Sequence, residues 1–67
     1  MANTVKISKE LVKLRGLKTQ DEVADAVGIT RTALSNYEQG IRVPRDEIKI
    51  RLAKYYRTSV QKIFFDD

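Results

Sequence analysis

Cysteine, histidine and tryptophan are absent from this chain of 67 residues, and proline occurs once. Without cysteine there is no disulfide framework and no thiolate metal site, and without histidine the commonest metal ligand and general base is missing too. Asp21 and Asp25 lie at the i, i+4 spacing that metal-binding carboxylates use, but on so short a helical segment they read more simply as a solvated acidic edge. No glycine-rich phosphate cradle and no nucleophile with a neighbouring base is visible, so an enzyme is the least supported class and no cofactor is expected. No apolar run approaches the roughly 20 residues that span a bilayer. Met1 to Ile7 holds too short an apolar stretch for a secretory signal, which leaves the cytoplasm as the expected compartment.

A chain of this length has room for one domain, residues 1–67, around one small core, and burial alone stabilises such a core only marginally. Thirteen Lys and Arg against nine Asp and Glu leave a formal net charge of +4, which favours a polyanionic partner. The distribution says more than the total. From Arg31 to Arg45 there are three arginines and a single glutamate, Glu38, so this stretch is locally basic.

The densest pattern is Thr19 to Gly40, TQDEVADAVGITRTALSNYEQG. Thr19 and Glu22 have the spacing of a reciprocal capping box, and Val23, Ala24 and Val27 then repeat at helical intervals. Gly28 suits the left-handed residue that stops a helix, Ile29 supplies an apolar plug, and Thr30 can cap a second helix that carries Ala33, Leu34 and Tyr37 inward. This is the pattern of a helix-turn-helix. Its leftover face is Arg31, Thr32, Ser35 and Asn36, short polar donors and acceptors with one guanidinium, which suit base edges and phosphates in the DNA major groove. Thr30 stands at the edge of that face, where its hydroxyl can cap and also meet a phosphate.

Elsewhere, Ala2 to Ile7 reads as an arm or lead-in, and Ser8 as the cap of a first helix with Leu11 and Leu14, and Ile7 beside them, facing in. Arg15-Gly16 ends it. The second helix is predicted at about Gln20 to Val27 and the third at about Arg31 to Gln39, stopped by Gly40. Pro44 disfavours helix at Val43, which makes the segment from Ile41 a loop. Asp46 and Glu47 suit the first turn of a fourth helix whose buried stripe is Ile48, Leu52 and Tyr55 or Tyr56, with Ile50 at its margin. A short fifth helix follows Ser59, with Val60, Ile63 and Phe64 inward. The apolar spacing offers no strand pattern, so the expected fold is an all-α five-helix domain.

These residues resemble the Cro/repressor, lambda-repressor-like (Xre-type) helix-turn-helix regulators of bacteria and phages. The resemblance is carried by Gly16-Leu17, Thr19-Gln20, Gly28, Glu38-Gln39-Gly40, Pro44, Ala53-Lys54 and Ser59 through Phe64, in order, over about residues 8 to 65. It implies that Gln20 bonds a phosphate and braces the start of the third helix. It also implies that Arg42 and Arg45, flanking Pro44, lie along the phosphates or reach the minor groove; Lys9, Lys13 and Lys18 are, as basic side chains, lesser candidates for peripheral phosphates. Tyr37 falls where the family places a core ring. Glu38 would turn inward to a cation of the first helix. The segment from Gly16 to Gln20 carries one residue more than the commonest spacing, and the cation expected here is Lys13.

Two further departures are Arg57, which must take a left-handed backbone or end the fourth helix differently, and Ile41, either a dimer contact or a residue tucked under the loop. One small module reads only a few base pairs, so a homodimer on a near-palindromic operator is expected, with Phe65, Tyr56 and Ile41 as leftover apolar groups. Such a free protein would be a weak dimer that tightens on double-stranded DNA, or this chain would be the head of a longer repressor. The expected role is a nucleoid-associated transcriptional repressor. The alternative is a protein-interaction module or antitoxin-like partner using the same helices.

Overall fold

Four α-helices and one π-helical turn follow one another along the chain: α1 Thr4–Arg15, α2 Gln20–Val27, α3 Arg31–Glu38, α4 Asp46–Tyr55, and a fifth helix, Gln61–Phe65, wound as a π-helix. The structure is a computed structural model and describes residues 4–65. Among these residues there is no strand, and no helix is long and apolar enough to cross a membrane. The five-helix, all-α expectation is therefore met, with α2 bounded as predicted and α3 ending one residue early.

Each helix supplies part of one core. Ile7 and Leu11 come from α1, Val23, Ala24 and Val27 from α2, Leu34 from α3, Leu52 and Ala53 from α4, and Ile63 and Phe64 from the fifth helix. Tyr37, Ile48, Tyr55, Tyr56, Leu14, Ile29 and Val60 pack around that centre partly buried. α1 packs on α3 and the fifth helix, while α2 packs on α3 and α4. Leu34 therefore sits between the two halves of the bundle, and burial of its side chain fixes which face of α3 is left to solvent.

The caps show why the short helices stop where they do. Thr19 accepts from the Glu22 amide at 3.0 Å, Thr30 from the Ala33 amide at 3.0 Å, and Ser59 from the Lys62 amide at 3.0 Å. Gly28 ends α2 with φ 81°, and its amide and that of Ile29 both close on Ala24 O. Gly40 ends α3 with φ 76° and lies against α1, where an added methyl would stand 3.5 Å from Thr4 O. That is ordinary contact, so the demand for glycine there comes from the backbone conformation and not from lack of space.

One expectation fails at the start of the chain. Ser8 is not a cap: α1 begins at Thr4, and Ser8 lies inside it, nearly buried, donating to Val5 O at 2.8 Å. Residues 4–7, read as an arm, are helical because Ile7 shares a buried face with Leu11 and the turn at Gly40 rests on Thr4 and Ser8. The rest of the expected arm, residues 1–3, lies outside the described residues.

Arg57 takes the left-handed alternative, with φ 56°. The Arg57 amide donates to Lys54 O at 3.1 Å and the Thr58 amide to Ala53 O at 2.9 Å, the paired closure that usually employs glycine. A residue with a Cβ costs about 1–2 kcal/mol in this conformation, partly offset because glycine would loosen the unfolded chain. Arg57→Gly is therefore expected to stabilise the domain by about 1 kcal/mol and raise its melting temperature by roughly 4–8 °C. A thermal melt followed by circular dichroism checks this, and a lowered midpoint would mean that the Arg57 side chain contributes more than its backbone costs.

Candidate nucleic-acid interface

The site is built around a buried carboxylate. Glu38 closes α3 with its side chain only 3% exposed, and Arg15 Nε donates to its Oε2 at 2.8 Å while Gln20 Nε2 donates to its Oε1 at 2.9 Å. Arg15 also donates through Nη1 to Lys18 O at 2.7 Å, so one guanidinium ties the end of α1, the turn before α2 and the end of α3. The bond to Glu38 holds the Arg15 guanidinium more firmly protonated than usual.

The expected partner, Lys13, is thus replaced by Arg15. Arg15, at the very end of α1, reaches both the turn and Glu38, and its planar fork sends Nε to the carboxylate and Nη1 to Lys18 O, whereas Lys13 lies exposed on α1. Leu17, at the tip of that turn, is left fully exposed. Arg15 is the residue of this network that the sequence pattern does not single out. A cation directly before the helix-ending glycine was the available signal.

Gln20 occupies the first position of α2 and is half-buried. Its bond goes to Glu38, at the end of α3 and not at the start as expected, and Nε2 retains a second hydrogen for another acceptor. Gln20, Arg31, Thr32, Ser35 and Asn36 line one groove between α2 and α3. Arg31 and Thr32 are exposed, and Ser35 and Asn36 half-buried. Ser35 Oγ accepts from Gln39 Nε2 at 2.6 Å, which occupies one lone pair and leaves its hydroxyl hydrogen free to donate. Thr30 lies exposed beside the groove, with its oxygen committed to the cap.

Arg42 and Arg45 do not line that groove. Both are exposed on the segment between α3 and α4, held by the buried Pro44 between them. Lys9 and Lys13 are exposed on α1, whereas Lys18 bonds the Tyr55 hydroxyl at 3.2 Å and lies over its ring. Asp21 is not a purely solvated edge, since its carboxylate stands 3.8 Å from Arg31 Nε. Together with Arg15, Thr19 and Gln20, this pair lines a cleft that adjoins the groove. Among the described residues, no group of three or more acidic side chains gathers to hold a metal ion.

Of the apolar groups left over in the sequence, Ile41 and Phe65 are exposed, at 65% and 50%. Tyr56 is not among them. It packs inward, ring edge toward Tyr55 with centroids 5.2 Å apart, and its hydroxyl is buried without a hydrogen-bond partner among the described residues. Burial pushes that hydroxyl up to about 12, with the Glu38 carboxylate and Tyr55 acting in the same direction and Arg15 against them.

A short capped helix packed across a second, presenting a row of polar side chains with its supporting acid turned inward, defines a helix-turn-helix. The family model described as helix-turn-helix, of the Xre/lambda-repressor-like type, matches residues 9–63. The chain belongs to that family and is a DNA-binding helix-turn-helix domain. No curated protein and no solved structure gives a significant match.

Two outcomes follow from the buried acid and its neighbour. Arg15→Ala strands a buried carboxylate and is expected to cost on the order of 2–4 kcal/mol in denaturant unfolding, while Arg15→Ala with Glu38→Gln recovers a substantial part. No recovery would mean that packing, and not the stranded charge, carries the loss. Tyr56 titrates near 10 when unfolded and at about 12 when folded, so its contribution is complete below pH 10 and lost as pH rises toward 12. Tyr56→Phe is expected to match or exceed the parent at pH 7, because it removes an unpartnered hydroxyl. Its advantage should widen by up to about 2–3 kcal/mol between pH 10 and 12, and a constant gap in unfolding free energy would refute this reading.

Proposed function

We propose that this domain binds a near-palindromic double-stranded operator as a homodimer and represses transcription by occluding polymerase. The observation that carries this reading is the single groove formed by Gln20, Arg31, Thr32, Ser35 and Asn36. It groups one planar cation, one carboxamide and two hydroxyls on the outer face of α3 and a second carboxamide at the start of α2. In the docked arrangement α3 lies in the major groove with Arg31 and Thr32 entering first. Arg31 pairs with a guanine edge or a phosphate, Asn36 with an adenine edge, and Thr32 offers a hydroxyl and a methyl. Ser35 serves base or backbone. Gln20 and Thr30 donate to phosphates beside the groove, and Arg42 and Arg45 follow the backbone beyond it.

Size supports the dimer. The domain measures 28 × 22 × 22 Å, whereas successive major grooves on one face of DNA lie about 34 Å apart, so a second copy is needed to read the second half-site. Ile41 and Phe65 are the exposed apolar groups assigned to that contact.

Selection from a random duplex pool, followed by dissociation constants for the winner and a scrambled duplex at two salt concentrations, tests the proposal. Mirrored half-sites about one helical turn apart are expected. Arg31→Ala and Asn36→Ala should each cost about 1–3 kcal/mol on the winner and relax one position. Arg42→Ala and Arg45→Ala should weaken both duplexes alike and lower the salt slope by about 1 each. Absence of any enriched sequence, with weak and equal binding of both duplexes, would overturn operator recognition and favour a protein partner for α3.

A further inference from the structure

The groove of α3 contains a cation that already has a partner. Arg31 Nε stands 3.8 Å from Asp21 Oδ1, across the cleft that Arg15, Thr19 and Gln20 also line. Both side chains are open to water, 67% and 74% exposed, and a pair so exposed adds little to folding. The helix-start role of an acid in the first turn of α2, for its part, is one that Glu22 fills as well, without reaching Arg31. The other charges around the cleft do not neutralise Asp21, since Arg15 is engaged by Glu38 and Glu22 adds a second acid in the same first turn of α2.

We infer that Asp21 sets the discrimination between operator and non-specific DNA by holding the Arg31 guanidinium away from the phosphates. This rests on Arg31 facing DNA as described above. A phosphate contact for Arg31 brings an attraction comparable to the one Asp21 already supplies, so on an arbitrary sequence the arginine gains little by leaving. A guanine edge offers two acceptors that the terminal Nη1 and Nη2 fork can meet while Nε stays toward Asp21, so the operator contact is made without giving up the pair. The carboxylate also repels the backbone wherever it docks. Its charge thus weakens all binding, and its pairing with Arg31 weakens non-specific binding most.

Asp21→Asn keeps the shape of the side chain and removes the charge. Its affinity for a scrambled duplex is expected to rise by roughly three- to tenfold at low salt, with a steeper salt dependence, while affinity for the selected operator rises less, so that the ratio falls. In the Arg31→Ala background the same substitution should raise both affinities by one common factor and leave the ratio unchanged. An unchanged scrambled-duplex affinity, an unchanged or increased ratio, or an equal fall of the ratio without Arg31 would each overturn the inference. If the parent protein discriminates no sequence, operator recognition itself fails, and the scrambled-duplex affinities of Asp21→Asn with and without Arg31 still decide whether Asp21 restrains that arginine. A melt of each variant accompanies the titrations, because losing an acid in the first turn weakens a helix.

Discussion

The buried carboxylate of Glu38 is the constraint on which the helix-turn-helix half of this domain depends. A charge that is 97% withdrawn from water is tolerable only with donors on both oxygens, and Arg15 and Gln20 supply them from two other helices. Meeting that demand sets the end of α3 against the end of α1 and the start of α2. Because Leu34 anchors the middle of the same helix, α3 is held along its length from its buried side. Arg31, Thr32 and Asn36 therefore line their groove on a helix whose position is set by contacts made elsewhere.

The same network explains how the chain absorbs an unusual turn. Arg15, Gly16, Leu17 and Lys18 make a longer connection than the pattern of the family suggests, and a loose connection would let α2 drift relative to α1. Arg15 closes it by bonding Lys18 O while it bonds Glu38. The cost is visible in Leu17, which loses its packing altogether. A similar compromise is found after α4, where Arg57 takes a glycine's backbone conformation so that Thr58 can close on Ala53. In both places the hydrogen-bonded closure of a helix outweighs the local preference of a residue, as expected when unpaired carbonyls next to a core are the alternative.

Electrostatically the recognition face is less uniform than a basic stretch implies. The carboxylates nearest to it have different roles: Glu38 is turned inward and neutralised, while Asp21 remains at the surface beside Arg31. Lys18 is drawn off to the ring and hydroxyl of Tyr55, and Lys49 lies over the ring of Phe65, so the formal charge overstates the cations free to meet phosphates. Charge read along the chain therefore describes the partner's class better than it describes the contacts.

What the amino-acid order by itself determined was the set of local elements. Thr19, Thr30 and Ser59 cap as their positions foretell, Gly28 and Gly40 stop α2 and α3, Pro44 breaks the chain between α3 and α4, and the apolar periods locate the core. These features act within one or two helical turns, so the information lies in neighbouring residues. Tertiary structure alone decided the start of α1, which of two places Tyr56 takes, core or surface, and the identity of the cation for Glu38. Thr4 to Ile7 are helical because a turn 36 residues further on rests upon them. Arg15 prevails over Lys13 because reach and donor geometry across three helices decide the pair, and neither quantity is a property of position along the chain.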